Sequence, residues 1–187
     1  MEEEDSPAMS NELPKGYPPE REGWATIGDG SRVFLRPIKP TDGPLLVEGF
    51  HKLSPRSIYL RFLSPLRDLP EKWVHQFTHV DYRKDFALVA TIHERGLESI
   101  IAVGRYAHNP TTGRAEVAIV VRDDWQRRGL GKALLLRLME IARENGITRF
   151  EAFIDRDNFI VIGLISSLGV RHTMVSEEGL YRVEMEI

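Results

Sequence analysis

The chain has 187 residues, 42% hydrophobic and 28% charged, with no cysteine, which suits one domain with a buried core and excludes disulfides, thiolate nucleophiles and Cys-ligated metal centres. Lys and Arg number 25 against 28 Asp and Glu, a net charge of −3, so no global positive field exists to hold nucleic acid, which is not expected as a partner. No basic and apolar leader opens the chain, and its longest apolar stretch, Phe159 to Val170, has 12 residues against the roughly 20 of a membrane span, so a cytoplasmic protein without membrane association is expected.

Residues 1–22 carry seven acidic residues, four prolines, Lys15 and Arg21, and read as an acidic, flexible tail before a single domain over 23–187. Trp24 to Ile27, a Gly28-Asp29-Gly30 turn and Arg32 to Ile38 alternate as a hairpin. A helix start at Thr41-Asp42 leads an apolar-periodic run to Leu53, and Pro55 to Phe62 and Pro70 to Thr78 read as two more short helices, an insert between strands. Phe86 to Ile92, Ser99 to Tyr106 and Arg114 to Val121 follow as an antiparallel meander. Lys132 to Asn145 is the most periodic helix, with Gly146 as its stop. Arg149 to Ile154 is a strand; the segment after Asn158 is ambiguous, its Ile160-Val161-Ile162 favouring strand and its Gly169 a helix stop. Thr173 to Val175 and Leu180 to Glu186 close the chain as a hairpin.

The stretch from Val120 to Ala133 runs from a strand through a polar loop into that periodic helix, with Gly129 and Gly131 at its entry. Free amides and the positive dipole end make such an entry a candidate phosphate site, and Arg127, Arg128 and Lys132 add charge. A nucleotide P-loop fails because Gln126 and Ala133 stand where Gly and Ser or Thr are required, and a dinucleotide turn fails at Leu134, where its third glycine belongs.

The loop resembles motif A of the GNAT superfamily of acyl-CoA-dependent N-acetyltransferases through Gln126, Gly129 and Gly131. Asn158, Val161, Leu164, Leu168 and Gly169 fall at the spacing of that superfamily's second motif, with Val170 in place of its usual Phe. More narrowly, LRPI at 35–38, LSPRSIYLRFLSP at 53–65, VDY at 80–82 and AEVAIVVRDDWQRRGLG from Ala115 look like the acetyltransferase domain of bacterial protein-lysine acetyltransferases. The resemblance implies an α/β (α+β) fold: a twisted, mixed, mostly antiparallel sheet, flanked by helices and splayed between the strand ending at Val121 and the strand from Arg149. It implies acetyl-CoA as acyl donor, with no metal. The donor would pair with backbone at Ile119, Val120 and Val121, its pyrophosphate would lie on the amides of Gln126, Arg127, Arg128, Gly129, Leu130, Gly131 and Lys132, and Asn158 would contact it. The ambiguous segment becomes a helix. The extra synthetase-like or cyclic-nucleotide-binding domain that such relatives often carry does not fit before the first strand, so nucleotide control is not expected.

Attack on a thioester needs a neutral amine, and neutralising a lysine of pKa about 10.4 at pH 7 costs roughly 4.6 kcal/mol, against about 1.4 kcal/mol for an α-amine near 8. A dedicated base therefore favours a lysine acceptor. Glu116 interrupts the apolar strand Ala115 to Val121 on the face of Ala118 and Val120. By itself it fits a surface glutamate paired with a neighbouring arginine; the resemblance implies the general base. Ile165 replaces the tyrosine acid of many relatives, and Ser166 is not a substitute. The acceptor is expected to be a primary amine, most plainly of a protein lysine, attacked directly in a ternary complex; a small-molecule or N-terminal amine, or a noncatalytic acyl-CoA sensor, are the alternatives. His75 and His79 mimic a zinc helix, but Gln76 stands where that mechanism needs Glu. Asp123 and Asp124 read as solvated turn residues, Trp125 as packing, and Asp81 and Tyr82 as either loop or acceptor-pocket residues.

Overall fold

The first hairpin forms as β1 (Gly23–Thr26) and β2 (Arg32–Pro37), its turn closed by Ile27 N donating to Ser31 O at 2.9 Å, in the computed structural model, which describes residues 13–187. The insert follows as α1 (Gly43–His51), α2 (Pro55–Phe62) and α3 (Glu71–Thr78). Proline in the first turn and Ser54, whose Oγ accepts from Ser57 N at 3.1 Å, start α2 where the sequence places it. The meander is β3 (Asp85–Glu94), β4 (Leu97–Asn109) and β5 (Arg114–Val121). Then come α4 (Leu130–Glu144), β6 (Arg149–Asp155), α5 (Phe159–Ser166), β7 (His172–Glu177) and β8 (Leu180–Glu186).

The strands lie in the order β1-β2-β3-β4-β5-β6-β8-β7, and every neighbouring pair is antiparallel except β5 and β6. That parallel pair is held at Ala115 with Phe150 and at Glu116 with Glu151, and goes no further. β6 stays paired with β8 along its whole length, from Arg149 with Glu186 to Asp155 with Leu180. Val117 to Val121 therefore have a partner strand on the β4 side and none on the other, which is the splay expected between these strands.

α4 packs on one face through Leu134, Leu138, Met139 and Ile141, against Phe86, Leu88, Tyr106 and Phe150. Gly104 permits the close approach: a Cβ there would lie 2.9 Å from Leu138 Cδ1. The three helices of the insert cover the opposite face around Leu46, Phe50, Ile58 and Leu69. The ambiguous segment is helical, as the resemblance implies. Asn158 Oδ1 accepts from Val161 N at 3.3 Å to start α5, and Ile165 enters the core.

Part of the acidic tail, read as flexible or loosely docked, is docked. Residues 1–12 lie outside the described residues, but 13–22 pack on the domain: Tyr17 is buried edge-on to Tyr82 with ring centroids 5.5 Å apart, and Arg21 pairs with Glu144 at the end of α4. Aromatic burial outweighs the local charge and proline content that reads as a free tail.

One buried ion pair fastens the insert. Arg36 on β2 reaches Asp42 with Nη1 at 2.7 Å and Nη2 at 2.8 Å, and Glu98 on β4 with Nε at 3.0 Å. Asp42 also accepts from Lys39 N at 2.7 Å, so the turn entering α1 is tied to the sheet. Asp42→Ala, which strands a buried guanidinium with Glu98 alone, is expected to lower stability by about 3 kcal/mol, read from urea unfolding.

Candidate active site

The loop between β5 and α4 is built to present amides. Arg127 and Gly129 both have positive φ, +61° and +85°, and this alternation turns successive N–H groups toward one side. The amides of Arg127, Arg128, Gly129, Leu130, Gly131 and Lys132 find no acceptor among the described residues; the first amide of α4 that does is that of Ala133, donating to Gly129 O at 3.1 Å. Six free donors and the positive end of a 15-residue helix form an anion site. Gly129 serves this in a way the motif does not reveal. It packs on the β1–β2 turn, where a Cβ would sit 2.8 Å from Gly28 N, so its conformation and its contact both exclude a side chain.

The basic side chains around these amides differ in availability. Arg127 is exposed and lines the cleft, whereas Arg128 lies over Trp125 with its guanidinium 4.7 Å from the ring and 3.6 Å from Asp29. Lys132 Nζ donates to Ser167 O at 3.0 Å, bridging α4 to the end of α5. Gln126 spends its side chain inside the protein, Nε2 donating to Val121 O at 2.9 Å and Ser57 Oγ at 3.1 Å. Its backbone N–H donates to Asp123 O at 3.4 Å, so the expected Gln126 amide is not among the free donors.

From this loop a cleft of about 790 Å³, partly open to solvent, runs between the unpaired edge of β5 and α5. Ile119, Val120 and Val121 form one wall, Val161 and Leu164 the other, and α2 contributes Ser57, Leu60 and Arg61. Asn158 sits buried at its floor with its side-chain oxygen committed to capping α5, and its NH2 group makes no hydrogen bond among the described residues. An extended ligand can pair with the β5 edge as a missing strand would.

Past the closed end of the splay, Glu116 stands in an adjoining pocket with Arg61, Gln76, Phe77, Arg105 and Phe153. Glu116 forms no ion pair or hydrogen bond with any described residue, unlike Glu151 directly beside it, which Arg114 and Arg182 approach at 3.8 and 3.6 Å. Glu116 is solvent-exposed, as a surface glutamate would be, but the arginine pairing that such a reading expects falls on Glu151 instead. By strand rise, Glu116 lies about 10 Å along β5 from Ile119.

Several other expectations change. Asp123 is an exposed turn residue, as expected, but it also accepts from Ser54 N at 2.9 Å, Ser54 Oγ at 2.7 Å and Ser57 Oγ at 2.8 Å, locking α2 to the loop. Burial opposes its charge, but these donors hold its carboxyl below the usual range. Asp124 pairs with Arg122, which also grips Glu94 at 2.6 Å. Asp81 accepts from Arg83 N and Asp85 N in a turn, and Tyr82 donates to Ile38 O from the core, so neither shapes the acceptor pocket. Trp125 is partly buried against the core and also lines the cleft. Ile165 is buried in the core and Ser166 Oγ donates to Ile162 O, so neither faces the chemistry. His75 and His79 stack with centroids 3.8 Å apart on α3.

Residues 55–170, more than half of the chain, match the model of the acetyltransferase (GNAT) family. The chain belongs to that family. It is an acyl-CoA-dependent N-acetyltransferase, and the family's acyl donor is acetyl-CoA. It is 29% identical over 151 residues to acetyltransferase PA5475 of Pseudomonas aeruginosa, spanning 80% of this chain and 81% of that one. It is 34% identical over 146 residues to acetyltransferase Pat of Mycolicibacterium smegmatis; these cover 76% of this chain and 42% of Pat. The solved GNAT domain of S. lividans PAT superposes with a TM-score of 0.84 at 35% identity, covering 91% of this chain and 99% of that domain. No described helix is long and apolar enough to cross a membrane.

Gly129→Ala meets both a left-handed backbone and the Gly28 contact, so acetyl-CoA affinity is expected to fall at least tenfold by calorimetry, with about 1–2 kcal/mol lost in stability. The Arg122 clamp at the head of the loop carries a pH signature. Hydrogen bonds from Arg122 and Lys52 hold the Glu94 carboxyl down at about 2 against an ordinary 4.5, so the clamp is fully present above about pH 4.5 and is lost as pH falls toward 2. Thermal melting should show wild type above Glu94→Gln at neutral pH, with the difference closing across that window.

Proposed function

We propose that this enzyme moves the acetyl group of acetyl-CoA to the side-chain amine of a protein lysine, by direct attack in a ternary complex with Glu116 as general base. The observation that carries this reading is the continuity of one path: six free amides at the entry to α4, an unpaired β5 edge from Val121 to Ile119, and an unpaired carboxylate at Glu116 where that edge closes. The amides of residues 127–132 would hold the pyrophosphate, with Arg127 the basic side chain free to add charge. The backbone of Ile119 to Val121 would pair with the pantetheine arm, and the NH2 group of Asn158 is available to the donor from the floor of the cleft.

The C–N bond then forms as the C–S bond breaks. One amine proton passes to Glu116, directly or through water, and CoA leaves as a thiolate that solvent can protonate. Backbone N–H near Val121 is the candidate donor to the developing oxyanion. The lysine acceptor is supported by the narrower resemblance to protein-lysine acetyltransferases, by the identity to Pat and to the S. lividans PAT domain, and by the presence of a base positioned for an amine of high pKa.

Thiol release with acetyl-CoA against a panel of proteins, peptides and free amines, followed by mass mapping of the modified nitrogen, tests the acceptor. Glu116→Gln should lower kcat on the best acceptor by 10²- to 10⁴-fold at pH 7 while leaving acetyl-CoA affinity within about twofold. Transfer at the wild-type rate removes the base from Glu116, and donor binding without turnover on any amine favours a sensor.

A further inference from the structure

The pocket around Glu116 holds two arginines that have no anion. Arg61, near the end of α2, lines both the donor cleft and the Glu116 pocket. Arg105 on β4 faces Ala118 in the ladder, two residues from the Ala107 that faces Glu116, so period-two geometry puts Arg105 and Glu116 on one face of the sheet. Neither guanidinium makes a hydrogen bond or ion pair with any described residue, and Arg105 Nη1 is fully buried without a partner. Arg61 and Arg105 are partly buried, and the two fully buried arginines are matched, Arg36 with Asp42 and Glu98, and Arg122 with Glu94 and Asp124.

Aromatic rings supply what support the two arginines have. Arg105 Cζ lies 4.5 Å from the Phe77 ring centroid and Arg61 Cζ 4.9 Å from that of Phe62, on a shelf where Phe62 stacks with Trp73 and Phe77 at 5.8 and 6.5 Å. A ring face recovers only a fraction of what a guanidinium loses on leaving water. Burial and the charge of Arg105 push Arg61 down to about 10, still a cation at neutral pH; burial lowers Arg105 as well, against the pull of Asp85 and Glu116. Glu116 does not account for the pair, because a carboxylate owned by them would be bridged as Glu151 is. The chemistry that completes two forked donors above an aromatic shelf is a carboxylate.

We propose that Arg61 and Arg105 receive a carboxylate carried by a substrate, making the enzyme selective for an acidic acyl chain or for an acceptor amine with a carboxylate beside it. This rests on reading the Glu116 pocket as the amine site. Arg61 stands where the donor cleft meets that pocket, so either substrate can deliver the group.

Two arms separate the sources. One compares succinyl-CoA with butyryl-CoA, equal in chain length, on a neutral lysine peptide; the other compares lysine peptides with an adjacent Glu or Gln, using acetyl-CoA. In one arm the carboxylate-bearing member should have at least tenfold higher kcat/KM, and Arg105→Gln should bring the two members within threefold, with Arg105→Lys between. A ratio near one in both arms for wild type, or a preference that survives in Arg105→Gln, overturns the proposal. Melting by circular dichroism checks folding, and Arg61→Gln is read the same way if Arg105→Gln does not fold. Glu116→Gln is expected to slow both members of a pair and keep their ratio, so failure of the base assignment shows separately. If no peptide is acylated, calorimetric Kd values for the same pairs, with acetyl-CoA present in the acceptor arm, replace the rates under the same criteria.

Discussion

The domain depends on two strands ceasing to pair. β5 and β6 share backbone hydrogen bonds up to Glu116 and Glu151 and then part, which leaves five residues of an interior strand with one edge unsatisfied. Backbone groups left without partners are costly unless solvent or a ligand meets them, so this edge, open to solvent, is suited to an extended ligand that hydrogen-bonds as a strand does. The rest of the sheet makes the gap tolerable: β5 is held along its full length by β4, and β6 by β8, so neither strand needs the other beyond the first two pairs. Apolar residues of α5 and Leu60 of α2 wall the opening, and Ser57, Arg61, Arg127 and Asn158 add polar side chains to the free backbone of β5.

How much of this could be read from the residues depended on how far apart the interacting groups lie in the chain. The glycine-bearing loop and α4 were plain because strand, loop and helix are contiguous and carry their own signals. The end of β5 and the position of Glu116 followed from period two. The bonds of Asp123 were not legible because its partners, Ser54 and Ser57, are 69 and 66 residues away, and locally it is just an acid in a turn. Arg61 and Arg105 were passed over for the same reason: one reads as the polar face of a helix, the other as a polar residue in a strand, and nothing local says that they meet over Phe62 and Phe77. A signal was present in Arg105, an arginine on the insert-facing side of a strand otherwise made of Val, Gly, Ala and Tyr at that point. The β-branched run of α5 misdirects because strand propensity is a local preference that context overrides, here the Asn158 cap and the burial of Ile165.

The hydrogen bonds of Asp123 make one unit of what the sequence presents as two. Gln126 holds the last carbonyl of β5 and the hydroxyl of Ser57, while Asp123 holds that same hydroxyl and the N-terminal turn of α2. α2 in turn carries Leu60 and Arg61 into the site. The loop before α4 and α2 are thus fixed to each other through four polar side chains, and Arg122 ties that loop, through Asp124, to Glu94 of the sheet.

That coupling explains how charges of both signs can be kept close without cancelling. Arg114 and Arg182 neutralise Glu151, and Glu94 and Asp124 neutralise Arg122. Glu116, Arg61 and Arg105 are left unpaired within the same pocket because strand register and the anchored start of α2 hold them apart, and a side chain free to rotate on a mobile element would collapse into the nearest ion pair. An unpaired carboxylate keeps its lone pairs for an incoming amine, and unpaired guanidinium groups keep their donors for an incoming anion. On the proposed reading, the α2 anchor therefore serves the chemistry as well as the fold.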